Sequence, residues 1–332
     1  MAAVAETHAQ PTSLVRAFPT RKPASLWSDA WRRLLRNRAS MVGLGIIAFF
    51  ALVALLAPLI APHNALQYYA GNTFRAPAWV TLPDNPARSG DLRFPLGTDA
   101  IGRDVLSRLI FGTRTSMIVG FIPMFIIVSI GTLIGMIAGF AGGRVDNLLM
   151  RFTDVVYAFP DLLFIIIMMT ALRDTAIGNL LNGLVLLFIS LSIVNWVTVA
   201  RLVRGQVLSL KEKEFIEAAH MIGASNSQIM WRHLLPNSLA PIIVAAAFAV
   251  PQAILAEAVL GYLGLGMRPP TDPNSLFPTS WGCMLLEGRD AINAQIWLLL
   301  SPAICIATIM LSFTFMGDGL RDALDPMMRG RS

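Results

Sequence analysis

The sequence predicts an all-α, polytopic membrane protein with about six transmembrane helices, and three observations carry that expectation. Of its 332 residues, 55% are hydrophobic and only 14% charged, where a soluble domain carries roughly 25% charged residues. Mean hydropathy is +0.62. The apolar residues are also gathered into uncharged runs near the roughly 20 residues that a spanning helix needs.

Taken in order, residues 41–61 form the first run and 116–140 the second, neither with a charge. Residues 159–172 give a shorter third run with Asp161 near its start. Residues 180–200 give a fourth, interrupted by Asn182 and Asn195, and 238–265 a fifth that encloses Glu257. Residues 295–316 give the sixth. About forty residues precede the first run, too many for the n-region of a cleaved signal peptide, so an uncleaved anchor is expected.

Arginine and lysine set the orientation. Arg21, Lys22, Arg32, Arg33, Arg36 and Arg38 precede the first run, and only Arg75 falls in the twenty residues after it. The N-terminus is therefore expected in the cytoplasm. Six spans return the C-terminal tail there with Arg321, Arg329 and Arg331, and place Arg201, Arg204, Lys211, Lys213 and Arg232 on the same side. This use of basic residues accounts for the net charge of +6. No basic run carries interleaved stacking aromatics, so no nucleic-acid partner is expected.

The expected organisation is a cytoplasmic tail over residues 1–40, a first span at 41–61, an extracytoplasmic segment at 62–115, a core at 116–316 and a cytoplasmic tail at 317–332. In the first tail, Trp27, Trp31, Leu34 and Leu35 recur at helical spacing among Arg32, Arg33 and Arg36. That pattern fits a helix lying in the membrane interface, and equally a short basic linker. The 62–115 segment and the stretch 267–294, with Pro269, Pro270, Pro273, Pro278 and Trp281, are irregular and polar. Their backbone groups need water or protein partners, which keeps them out of hydrocarbon. Gly131, Gly135 and Gly139 make a flat stripe on the second span that lets a neighbouring helix approach closely.

No constellation for catalysis emerges. Lys22, Lys211 and Lys213 do not follow a glycine, so the phosphate-binding G-x-x-x-x-G-K-[ST] loop is absent. His8, His63, His220 and His233 show no metal spacing, and Cys283 and Cys305 form neither a metal pair nor a disulfide framework. Cys305, inside an apolar run, reads as a small hydrophobe. No catalytic or metal residue is assigned, and an enzyme is not expected. Glu257, a costly carboxylate within a span, either lines a pathway or makes a structural hydrogen bond to a neighbouring helix.

The most informative stretch is the loop at 201–237, expected on the cytoplasmic side. From Glu212 it runs through Phe215, Ile216, Glu217, Ala218, Ala219, Ile222, Gly223 and Ala224 to Ser225, then to His233 and Pro236. Phe215, Ala219 and Ile222 fall on one face of a short helix with Ile216 beside them. Gly223 stands where a helix would end in the left-handed conformation. Ser225 or Asn226 can cap a second helix, expected to stop near Pro236. Apolar residues there are expected to make a docking surface that needs a partner; the alternative is an amphipathic helix resting on the bilayer, which Glu212, Glu214 and Glu217 disfavour.

Glu217-Ala218-Ala219, then Gly223, then His233-Leu234-Leu235-Pro236 resembles the EAA loop of the permeases of binding-protein-dependent ABC importers. The general pattern has isoleucine where His233 stands, and the Arg232–Asn237 version is similar to the peptide/nickel subgroup. Three further stretches resemble that subgroup's C-type subunit: Leu96 to Arg108, Glu257 to Gly266, and Gly317 to Pro326. The resemblance implies a type I permease fold in a bacterial inner membrane, with lipid around it. It implies a B-type permease as heterodimer partner, two ATPase subunits and an extracytoplasmic solute-binding protein. ATP and magnesium would be bound by the ATPases, leaving this chain without a cofactor. Phe215, Ile216, Glu217, Ala218, Ala219, Ile222, Gly223 and Ala224 would couple to the ATPases. The cargo would be a dipeptide, an oligopeptide or a related solute such as a nickel complex.

From the residues alone, two alternatives stay open. An ion-gradient-driven transporter would be expected to show inverted repeats, where this chain shows one midspan glutamate. A membrane-embedded enzyme would need a paired nucleophile and base.

Overall fold

Every long helix here is apolar around most of its circumference, so its side chains must face either other helices or lipid. The computed structural model describes residues 26–270, 272 and 274–325, with side chains described from residue 28. His8, Arg21, Lys22, the side chain of Trp27, Pro273, Pro326, Arg329 and Arg331 lie outside the described residues, with most of the first tail and the end of the second.

The described residues begin with α1 (Leu26–Arg36) and α2 (Arg38–Ile60), separated at Asn37, whose side chain accepts from the Ser40 amide and caps α2. One face of α2 puts Ile47, Phe50 and Ala54 into the core, and the other leaves Phe49, Leu52, Leu55 and Leu59 exposed. Residues 61–104 form no α-helix. They nevertheless bury Phe94 and Asp99, and end on Asp104, whose carboxylate caps α3 (Val105–Ala141) by accepting from the Ser107 amide.

α3 departs from the expected boundary at residue 115. At 37 residues it is about 55 Å long, well beyond the roughly 30 Å hydrocarbon core. Its first three turns carry Arg108, Thr113, Arg114 and Thr115 past the apolar run. They are too polar for a hydropathy window but are held as helix by protein on their flanks.

The third span also differs from the expected straight run. α4 (Gly143–Tyr157) and α5 (Asp161–Ala171) meet at a bend of 76° around Pro160, a residue that disfavours helix in the position before it. Of the two, α5 is the apolar half, with Asp161 and Thr170 its polar residues. α4 is amphipathic, bound to the bundle by Asp146 and Asp154 and leaving Val145, Leu148, Phe152 and Val155 exposed.

A short α6 (Ala176–Asn179) and a turn with Leu181 and Asn182 at positive φ lead into α7 (Leu184–Lys211). α7 is the most enclosed span. The stripe of three glycines on α3 faces it: a Cβ on Gly131 would come within 2.6 Å of Val199 Cβ, one on Gly135 within 2.9 Å of Val203 Cβ, and one on Gly139 within 2.8 Å of Val207 Cβ. The two helices pack at a separation that only glycine permits.

After α8 (Glu214–Met221), a single turn α9 (Asn226–Gln228) continues through a π-helical stretch, Ile229–Leu234, into α10 (Leu235–Tyr262). The expected stop near Pro236 does not occur. Proline lacks an N–H for the i→i−4 ladder, and the wider π turn just before it carries the helix through. α11 (Trp281–Asp290) lies at the opposite end of the bundle, and α12 (Trp297–Leu324) returns to the α8 end. Among the described residues, five helical stretches are long and apolar enough to cross a membrane, six with the bent pair. The fold is thus all-α and polytopic.

Candidate functional site

At the end of the bundle where α7 finishes, the chain must turn back toward α10, and α8 fills the gap. Ile216 and Ala219, three residues apart, fall on one face of α8 and are buried in a cluster with Met136 of α3, Val203 and Val207 of α7, and Ile229 and Leu234 of the π turn. The other face is open. Phe215, Glu217 and Ala218 are exposed, while Met221 and Ile222 at its tip are 87% and 86% exposed. The expected face of Phe215, Ala219 and Ile222 is therefore divided. Ala219 joins Ile216 as an anchor because the body of the protein takes the nearer side of the helix, leaving Phe215 and Ile222 outward.

The turn after α8 is a Schellman motif. The Gly223 amide donates to the His220 carbonyl and the Ala224 amide to the Ala219 carbonyl, both at 3.0 Å. Gly223 has φ +82° and a Cβ there would meet nothing within 4 Å, so the glycine serves the backbone and leaves the space outside it empty. Ser225, rather than Asn226, caps the next helix in a capping box with Gln228. The result is a rigid knuckle with an exposed apolar tip. Sequence reasoning missed Met221, adjacent to Ile222 at the helix end, and Trp231, which the π turn leaves 52% exposed.

Charges at this end tie α4 and α3 to α7. Arg204 donates bidentately to Asp146 at 2.6 Å, Arg201 donates to Asp154 at 2.7 Å, and Lys211 donates to the Phe140 carbonyl at 2.8 Å.

Between α5, α7 and α10 lies a cavity of about 540 Å³. Its walls are mostly aliphatic, with Asp161, Asn195, Thr198 and Gln252 as the polar groups. Glu257 is absent from this lining. It is 1% exposed behind α11, where Oε1 accepts from the Ser280 hydroxyl at 2.5 Å. Gly282 admits it: a Cβ there would lie 2.6 Å from Oε1. Glu257 thus hydrogen-bonds the residue that caps α11 and stands apart from the cavity.

At the α11 end, the Leu96–Arg108 run builds a buried charge cluster. Arg108, 3% exposed, donates to Asp99 Oδ2 at 2.7 Å, to Glu287 Oε1 at 2.8 Å and also to Glu287 Oε2, and to Thr279 Oγ1 at 3.3 Å. Arg103 donates to Asp99 Oδ2 at 2.7 Å and to Glu287 Oε1 at 3.1 Å. Burial alone would raise the Asp99 and Glu287 carboxyls, but the charge of Arg108, joined by Arg103, outweighs it and holds both below the usual carboxylate range. The cluster clamps the irregular 61–104 segment to α3 and α11. Glu287 carries no motif of its own, so its part was not legible beforehand.

Comparison with known proteins decides what this arrangement belongs to. Residues 131–330, which include α8 and the cavity helices, match the family model described as binding-protein-dependent transport system inner membrane component. The chain belongs to that family. Residues 25–77 match the N-terminal TM domain of oligopeptide transport permease C. Similar curated proteins include the oligopeptide transport system permease protein OppC of Haemophilus influenzae, 39% identical over 92% of this chain and 90% of that protein. The OppC protein of Escherichia coli strain K12 is also 39% identical, over 92% of both chains. The dipeptide transport system permease protein DppC of Bacillus subtilis is 37% identical over 93% of this chain and 88% of its own. A permease of this kind is a transport subunit, not an enzyme, and the multi-pass architecture is that of an inner membrane component.

Proposed function

We propose that this permease is the C-type subunit of an ATP-driven peptide importer, that the α8 knuckle receives a separate ATPase, and that the α5–α7–α10 cavity is its half of the translocation pathway. One observation carries the coupling role: Phe215, Met221 and Ile222 are exposed on a helix whose opposite face is locked to α3, α7 and the π turn. A partner gripping the open face moves the ends of α7 and α10 with it. Peptide as cargo is supported by the oligopeptide and dipeptide transport named for its relatives.

The reading places both chain termini and α8 in the cytoplasm, following the arginines before α2. A B-type permease supplies the facing half of the pathway, two ATPase subunits hold ATP and magnesium, and a solute-binding protein delivers cargo to the opposite end. ATP closes the ATPase dimer, and α8 carries that displacement into α7 and α10. The two states differ in their affinity for ATP at the ATPases, which is the differential binding that a ligand-driven change requires.

Cross-linking tests this. With Cys283 and Cys305 replaced by serine, an Ile222→Cys variant of the assembled transporter is treated with a short thiol-to-amine reagent. A cross-link to a nucleotide-hydrolysing subunit is expected. Cross-links only to lipid or to an extracytoplasmic protein would overturn the assignment.

A further inference from the structure

α1 has three distinct sides, and its contacts account for only one. Ala30 and Leu34 are buried against Leu320, Ala323 and Leu324 at the end of α12. Gly319 makes room for this seat: a Cβ there would lie 2.6 Å from Ser40 Cβ and 3.2 Å from Leu34 Cδ1. α1 is therefore fixed beside the ends of α2 and α12, where the spans leave the membrane. A helix turns about 100° per residue, so Trp31 and Leu35 form the next side and Arg32 and Arg36 the one after. Trp31 is 55% and Leu35 46% exposed, and Arg32, Arg36 and Arg38 are all exposed. None of these three arginines is held in an ion pair among the described residues.

We propose that α1 is a binding site for anionic phospholipid, with Trp31 and Leu35 among the acyl chains and Arg32, Arg36 and Arg38 on the headgroup phosphates. An apolar side next to the protein seat and a cationic side beyond it is the pattern of a helix lying in the bilayer surface. A tryptophan prefers that depth because its ring is apolar and its N–H is polar. The charge selects the lipid: a neutral headgroup offers no net complement to three guanidinium groups, whereas an anionic one does. Each basic residue near an anionic surface enriches the lipid about five-fold, and three together on the order of 100-fold. The inference rests on the orientation proposed above only for which leaflet is involved.

The assembled transporter is reconstituted into vesicles of phosphatidylcholine and phosphatidylglycerol, with bromine on the acyl chains of one lipid or the other. Trp31 fluorescence is obtained as the difference between the native chain and a Trp31→Phe variant. Brominated phosphatidylglycerol is expected to quench it several-fold more strongly than brominated phosphatidylcholine at equal mole fraction. That excess should vanish in the R32Q/R36Q/R38Q variant and, on the native chain, in 1 M salt. Equal quenching by both lipids, an excess indifferent to salt, or no quenching by either would each overturn the proposal. The salt series decides the matter even if the triple variant does not assemble, and none of these outcomes depends on the knuckle binding an ATPase.

Discussion

Substituting Gly223 separates the backbone demand of the knuckle from the partner proposed to cover it. At φ +82° any residue with a Cβ pays a strain of roughly 1–2 kcal/mol, and this strain is the same for alanine and tryptophan. Nothing lies within 4 Å of an added Cβ, so alanine meets no obstacle in the chain itself. A Gly223→Ala variant therefore measures strain alone. A Gly223→Trp variant adds bulk on the exposed side where the proposed partner would pack, and forced overpacking costs about 1–3 kcal/mol or more. That is a further loss of about 5- to 150-fold in ATPase affinity. The assay is the fraction of ATPase subunits retained when the tagged permease is purified from membranes, with permease abundance as the control. Abundance should be unchanged in both variants, since the residue lies outside the buried clusters. Tryptophan retaining as much ATPase as alanine would refute the docking argument.

Other substitutions test the remaining parts. Arg108→Met leaves Asp99 and Glu287 with only Arg103, and breaking a buried pair costs roughly 3–5 kcal/mol, somewhat less here because Glu287 is partly exposed. Thermal unfolding in detergent should show a clear drop in midpoint, with Arg108→Lys falling between. The depressed Asp99 and Glu287 carboxyls make this clamp pH-dependent. As pH falls, the unfolded chain takes up protons first, near pH 4, so the contribution is full above about pH 5 and is lost as pH falls through the lower folded values. An Asp99→Asn variant should flatten the decline in midpoint between pH 5 and pH 3. Gly135→Leu should reduce folded protein in the membrane, because its Cβ would press on Val203 Cβ at 2.9 Å, while Gly205→Leu, with nothing within 4 Å, should be tolerated. Ala249→Trp, projecting into the cavity, should stop uptake of a labelled dipeptide mixture without loosening the ATPases, and undiminished uptake would remove the cavity from the pathway.

The hydropathy of residues 41–61, 238–265 and 295–316 was enough to locate α2, α10 and α12, because exclusion from water is a property each residue carries with it. Gly223 could be placed at a helix end, and the stripe of Gly131, Gly135 and Gly139 at a helix contact, for a similar reason: the missing Cβ is a local fact with few uses. The first half of the bent span escaped notice because α4 owes its helix to Asp146 and Asp154 binding α7, and its own apolar residues are too sparse for a hydropathy window.

What the sequence determined by itself is therefore the solvent each segment prefers and the turns its glycines and caps allow: an all-α membrane chain with a knuckle between two spans. Tertiary structure decided which side of each helix meets protein. It turned Ala219 inward and Ile222 outward, set Glu287 against Arg108 across 179 positions of chain, and set Glu257 against Ser280. Such pairings depend on which helices become neighbours, and that follows from the packing of the whole bundle rather than from any one segment's composition.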